Sequence, residues 1–280
     1  LTHMDTHWSG IGLLDFDDKM QFPVDVLLSP DGNHLYVSAL QGNAILAFNR
    51  DSGTGQLTTF QGVYRDGYEG EGLSGAYGLS ISDDGNFIYV TGFYENSVAV
   101  YRRDPSTGGL TYENVLRDDI DAEGLQGARS LVISPNGDHL YVTGEDDNAV
   151  LSFDLNASTG LMTHTGTLMP GDGGAKGLKG ANGIALSADG NHVYAVGFFD
   201  NALSWYNRKI RSGQLTSFGG SLKDGESEVD GLDYANSVAL SPDGMHVYAT
   251  GNHDHAVSWY QRNASTGALS YGGMLKDGVD

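Results

Sequence analysis

The stretch from Ser241 to Ser270, SPDGMHVYATGNHDHAVSWYQRNASTGALS, decides the fold, because the chain writes it five times. The earlier copies begin at Ser29 (SPDGNHLYVSALQGNAILAFNRDSGTGQLT), Ser82 (SDDGNFIYVTGFYENSVAVYRRDPSTGGLT), Ser134 (SPNGDHLYVTGEDDNAVLSFDLNASTGLMT) and Ser187 (SADGNHVYAVGFFDNALSWYNRKIRSGQLT). Their starts lie 53, 52, 53 and 54 residues apart. Each copy, with its flanks, holds four short runs rich in Val, Tyr, Trp and Thr. In the last copy these are Ser237–Ser241, His246–Thr250, Ala256–Gln261 and Leu269–Leu275, here called strands a to d. Turn residues bound every run, as strands require. Asp243-Gly244 signals a tight hairpin between a and b, and Ser265-Thr266-Gly267 turns c into d. No run has the apolar spacing of a helix.

Tandem four-stranded units of this length predict an all-β fold, a five-bladed β-propeller of four-stranded antiparallel blades. The single domain spans 1–280, with blades at about 24–64, 77–116, 129–168, 182–222 and 236–276. Radial closure would hide the flanks that otherwise invite aggregation. The ends do not fit a simple ring. A sixth copy of strand d stands at Trp8–Leu14, and the C-terminal LKDGVD stops inside a d–a loop. The extra strand is expected to latch the ring or to add an outer strand; a domain swap or a cut from a longer array is the rival reading.

The chain carries 15 basic and 36 acidic residues, a formal net charge of −21. That surface repels nucleic acid and anionic membrane, whose phosphates need Lys and Arg. With no cysteine there is neither disulfide nor thiol chemistry. No apolar run approaches the roughly 20 residues of a membrane helix, so no membrane insertion is expected. Leu1 to Met4 reads as leftover cloning sequence. The sequons at Asn156 and Asn263 fall in a repeated turn and are explained by the repeat.

The motif SPDGxHVYVTG followed by DNAVSWYxRxxSTGxLT resembles the YVTN-type bacterial surface and lactonase-like propellers, and the resemblance covers all five repeats. It implies a bacterial protein of the cell surface or the extracellular space, and a lactonase-like hydrolase if an enzyme. Familiar lactonase-like members have seven blades, whereas this repeat count is five.

In an up-and-down meander the a–b and c–d turns share one face, and the b–c and d–a loops share the other. The first face carries near-identical SPDG and STG turns. The second carries the variation, and binding residues tend to sit on loops over a rigid scaffold. The candidate ligand-binding residues there are Asp25, Tyr77, Phe93, Tyr94, Glu95, Arg129, Asn182, Phe198, Phe199, Asp200, Asn236, His253 and His255. The aromatic ones suit a stacked sugar or other flat ligand, or packing between blades. Asn43, Asn96, Asn148 and Asn201 recur at the loop ends and are expected to cap turns. His34, His139, His192 and His246 repeat after the a–b turn and read as structural. Glu145, Asp146 and Asp147 are candidate metal ligands, and acid-rich d–a loops suit calcium, although none matches a known calcium loop. His253 and His255 flank Asp254, but a zinc site lacks an identifiable third ligand.

No nucleophile elbow or phosphate loop is present. Five-bladed glycoside hydrolases place several acids around the channel, whereas the matching column here is Asp25, Gly78, Ser130, Gly183 and Ser237. The leading expectation is therefore a non-catalytic extracellular module that binds a carbohydrate, small molecule or protein. The first alternative is a lactonase-like hydrolase using Arg129, Glu145 and His253. The second is a structural spacer from a longer surface protein.

Overall fold

A computed structural model describes residues 20–278. Blade 1 is β1 (Pro23–Leu28), β2 (His34–Ala39), β3 (Ala44–Arg50) and β4 (Leu57–Arg65). Blade 2 is β5 (Ala76–Ile81), β6 (Phe87–Gly92), β7 (Ser97–Arg103) and β8 (Leu110–Arg117). Blade 3 is β9 (Ala128–Ile133), β10 (His139–Gly144), β11 (Ala149–Leu155) and β12 (Met162–Leu168). Blade 4 is β13 (Ala181–Leu186), β14 (His192–Gly197), β15 (Ala202–Arg208) and β16 (Leu215–Lys223). Blade 5 is β17 (Ala235–Leu240), β18 (His246–Gly251), β19 (Ala256–Arg262) and β20 (Leu269–Lys276). Each blade is one antiparallel sheet with strands in sequence order. The architecture of the described residues is thus an all-β propeller of five four-stranded sheets, as the repeat predicts. The expected N-terminal strand Trp8–Leu14 lies outside the described residues.

The repeated motif explains itself at the blade seams. In β14, Tyr194 donates through its hydroxyl to the Gly267 carbonyl in the c–d turn of blade 5, at 2.9 Å. Arg262 of blade 5 reaches back with Nε to Tyr194 Oη at 2.7 Å and with Nη2 to Asp189 at 2.8 Å. The same guanidinium contacts His192 Nδ1 at 2.9 Å. The motif's Asp, His and Tyr are therefore one half of a seam, and the next blade's Arg and turn glycine are the other half. Seams 1–2 and 3–4 repeat this with Tyr36, His34 and Arg103, and with Tyr141, His139 and Arg208. Seam 2–3 replaces His and Arg together, by Phe87 and Leu155, so the apolar pair substitutes for the polar one. The turn glycines 108, 213 and 267 have left-handed φ angles of 76°, 64° and 72°, and a Cβ there would overlap the His ring of the preceding blade.

Adjacent inner strands pack across four seams: β1 on β5, β5 on β9, β9 on β13, and β13 on β17. Among the described residues no comparable packing joins β17 to β1. The expected radial closure is not made by these residues, and exposure shows it. Val26 on β1 is 62% exposed, whereas Leu79, Leu131, Ile184 and Val238 in the same column are 7–8% exposed. At the other end Tyr248 is 41% and Val257 44% exposed, while Tyr36, Tyr89, Tyr141 and Tyr194 are buried. A blade buries these columns only when a neighbour stands against it.

One backbone feature positions the site. Every inner strand slips register against its partner near its start: between Pro23 and Asp25, Ala76 and Leu79, Ala128 and Leu131, Ala181 and Ile184, and Ala235 and Ser237. Such irregularities re-aim a side chain. The motif's Thr satisfies the freed backbone. Thr91 Oγ1 accepts from Gly78 N–H and donates to the Arg129 carbonyl of the next blade, both at 2.8 Å. Thr143 does the same for Ser130 and Asn182.

Candidate functional site

The slipped positions are Tyr77, Arg129, Asn182 and Asn236, with Val24 in blade 1. They sit at the ends of the inner strands, beside the b–c loops. In blade 3 the loop offers Glu145, and Arg129 Nη1 forms a short ion pair with Glu145 Oε2. Arg129 Nη2 donates to the Tyr77 hydroxyl at 2.9 Å. Its guanidinium carbon lies 4.7 Å from the Tyr77 ring centre and 5.9 Å from that of Phe93. The Tyr77 and Phe93 centroids are 6.3 Å apart, and Phe93 meets Tyr94 edge-on at 5.5 Å. Seam 2–3 thus gathers one cation, one carboxylate and three aromatic rings. Arg129 Nε and, in the neighbouring blade, Asn182 Nδ2 are buried without hydrogen-bond partners among the described residues.

The other candidates separate into groups. Asp25 is engaged with backbone: its carboxylate accepts from the Leu79 N–H of blade 2 and from Val26 N–H, both at 2.8 Å, and burial raises its pKa against these bonds. Glu95 takes Arg117 Nε and Nη2 at 3.0 and 2.7 Å. Asp200 accepts from Lys179 N–H at 3.0 Å, as Asp147 does from Gln126 N–H at 2.9 Å and Asp254 from Asp233 N–H at 2.9 Å. The recurrent loop acid is therefore a brace for the entry to its own blade. Asn43, Asn96 and Asn148 adopt left-handed φ and accept from Gly75, Gly127 and Gly180. They cap as expected, but across the seam. His255 takes this place in blade 5 with φ 52°.

The proposed metal set does not converge, because Glu145 is paired with Arg129 and Asp147 with backbone. Burial, with repulsion from Asp118, Asp119 and Asp146, raises the Asp147 pKa. Among the described residues, Asp224, Asp230 and Asp254 bring their carboxylate oxygens within 4.8 Å of one another. Lys276 Nζ already sits 3.0 Å from Asp254 Oδ1 and supplies a cation there.

The catalytic trio divides as well. Arg129 and Glu145 meet, but His253 stands in blade 5 with Nδ1 2.8 Å from Asp233 Oδ2. Its ring lies 5.2 Å from Tyr234, which stacks on Phe198 at 4.6 Å and 24°. Asp233 and Tyr234 were not among the sequence candidates. The signal was present: Tyr234 occupies the column of Gly75, Gly127 and Gly180. Among the described residues no helix is long and apolar enough to cross a membrane.

The family described as "Lactonase, 7-bladed beta-propeller" matches residues 12–115 and 113–274. A 6-phosphogluconolactonase of Enterobacter sp. (strain 638) is 23% identical over 266 residues, which cover 94% of this chain and 76% of that protein. That of Klebsiella pneumoniae (strain 342) is 24% identical over 226 residues, 80% of this chain and 62% of the relative. The solved Pseudomonas aeruginosa periplasmic gluconolactonase PpgL superposes with a TM-score of 0.73 at 22% identity, covering 91% of this chain and 70% of that one. These findings overturn the leading expectation of a non-catalytic binding module. That expectation rested on five similar blades carrying different loops with no complete catalytic set.

Proposed function

The chain belongs to the lactonase family of seven-bladed β-propellers, and from that premise we propose that it hydrolyses a sugar lactone at the loop face around Arg129. The observation that carries the reading is the union of Arg129, Glu145, Tyr77 and Phe93 at one seam. In this mechanism the lactone ring lies against the aromatic rings. The carbonyl oxygen accepts from the Arg129 guanidinium. Glu145 takes a proton from water as the water oxygen attacks the carbonyl carbon. The negative charge that develops on the carbonyl oxygen is met by a fixed cation. Collapse breaks the bond between the acyl carbon and the ring oxygen. Glu145 returns the proton to that oxygen, and the open-chain hydroxy acid leaves. Water is added across one ester bond, and nothing is oxidised or reduced.

The surroundings favour an uncharged lactone over a phosphorylated one. Arg129 is neutralised by Glu145, and Glu95, Asp146, Asp147 and Asp200 share the face. A phosphate dianion would meet these carboxylates within a chain of net charge −21. The test is pH-stat hydrolysis of glucono-δ-lactone and of its 6-phosphate by wild type, Arg129→Ala and Glu145→Gln. Faster turnover of the neutral lactone, lost in both variants, is expected. Wild type that hydrolyses neither lactone, or activity unchanged by both substitutions, would overturn the reading.

A further inference from the structure

A second aromatic group on the same face is not used by the proposed hydrolysis. Phe199 lies over the backbone of Gly180, so closely that a Cβ on this glycine would overlap the ring. Its outer side is open, and the residue is 53% exposed. Phe198 meets Phe199 edge-on at 5.2 Å and stacks on Tyr234. Tyr234 in turn lies against His253, and Asp233 bonds both His253 and Asn201. The rings form a continuous ladder across seam 4–5.

The ladder is maintained against local preference. In blades 2, 3 and 4 the residue before β5, β9 and β13 is Gly75, Gly127 or Gly180, with φ of 70°, 65° and 68°. In blade 5 the residue before β17 is Tyr234, with φ 53°. A bulky side chain in the left-handed region is strained, and such strain clusters at ligand sites. Blade 1 also has an aromatic there, Phe22 with φ 57°, but among the described residues no preceding blade stands against it to build a ladder. Core packing does not explain Tyr234, which stays 37% exposed.

We propose that Phe198, Phe199, Tyr234 and His253 form a second subsite that stacks a neutral saccharide ring. The chemistry selects that class. The rings offer flat apolar surface, and beside them stand the carboxylates of Asp200 and Asp233, which already accept from Lys179 N–H and from Asn201 and His253 and keep further lone pairs. Sugar hydroxyls donate to carboxylates, whereas nucleotides and sugar phosphates are repelled by them. The subsite lies at seam 4–5, apart from Arg129 at seam 2–3, and does not depend on the lactonase reading.

Tyr234→Gly separates this role from packing, because glycine is what three other blades use at that position. Binding of lactose and cellobiose is measured by saturation-transfer NMR and calorimetry, with sorbitol as an acyclic control. Wild type is expected to bind the cyclic sugars and not sorbitol. Tyr234→Gly and Phe199→Ala are each expected to weaken binding by about tenfold, which is ~1.4 kcal/mol, while the Tm of Tyr234→Gly stays at or above that of wild type. Glu145→Gln is expected to retain sugar binding even as hydrolysis is lost, so failure of the lactonase reading leaves this result standing. Three outcomes would each overturn the subsite: no cyclic sugar bound by wild type, sorbitol bound equally well, or Tyr234→Gly binding as wild type. A Tm loss of several degrees in Tyr234→Gly would assign the ring to packing and overturn it as well.

Discussion

The two faces of the propeller start from the same repeat and have diverged in opposite ways. On the turn face, Tyr194, His192 and Asp189 of one blade clasp Arg262 and Gly267 of the next, and two more seams repeat the clasp nearly atom for atom. On the loop face the equivalent columns read Leu40, Phe93, Glu145, Phe198 and Asn252, and Val24, Tyr77, Arg129, Asn182 and Asn236. The difference is one of constraint. A clasp residue is buried against a fixed partner on the neighbouring blade, so a change in one half demands a change in the other, as Phe87 with Leu155 shows. A loop residue at a register slip has its backbone held by Thr91 or Thr143, which leaves its side chain free to vary.

This contrast can be broken by experiment. The largest expected effect is on the loop face. Glu145→Gln should lower lactone hydrolysis by about 10²–10⁴-fold, the usual worth of a positioned general base, with Tm little changed because the amide oxygen still accepts from Arg129. Equal losses of activity and stability would erase the distinction between the faces. On the turn face, Arg262→Ala should destabilise by about 3 kcal/mol, as for removal of one partner of a buried polar network, seen as an earlier midpoint in urea unfolding. The hydrolytic rate of the folded protein should not change.

Two smaller effects sharpen the turn-face side through pH. His34, His139 and His192 are pushed below the ordinary value of 6.5 by burial and by Arg103, Arg208 and Arg262. The folded state holds them neutral while the unfolded chain takes up protons, so stability should fall as pH drops below about 6.5. His192→Phe, which copies Phe87 of seam 2–3, should shrink that fall. Lower on the scale, burial of Asp189 is outweighed by hydrogen bonds from Arg262, Ser187 and Asn191, and its pKa falls to about 2. Its stabilisation is present above 3.8 and should be lost as pH falls toward about 2. Asp189→Asn should flatten that limb of an acid-unfolding curve. A slope unchanged by the substitution would remove Asp189 from the clasp's energetics.

Much of the fold was legible because the repeat states it directly. Turn pairs such as Asp243-Gly244 and alternating runs such as HVYAT act over a few residues, so β18 and β19 begin where the sequence places them, at His246 and Ala256. The loop face was also legible as the variable one. Less could be read of which loop residues meet. Arg129 and Glu145 lie within one repeat, and the sequence already named them together as candidates of one site. Its aromatic walls, Tyr77 and Phe93, come from the preceding blade, and their union needs the seam. Tyr234 was passed over because a departure from glycine reads as loop variation until Phe198 is seen stacked on it.

By itself the sequence determined the blade: four strands, their turns, and the columns that repeat, because these follow from local backbone preference and a period of about 53 residues. Tertiary structure alone decided what the columns are for. It coupled Tyr194 to Arg262 and Tyr77 to Arg129 across seams, tied Asp25 to Leu79, placed His253 in a different blade from Glu145, and left Val26 and Tyr248 without a neighbouring blade among the described residues. The physical reason is that a repeat specifies each blade's contacts with itself. The depth of burial, the partner of a charge and the ring a guanidinium rests on are all set by the blade standing next to it.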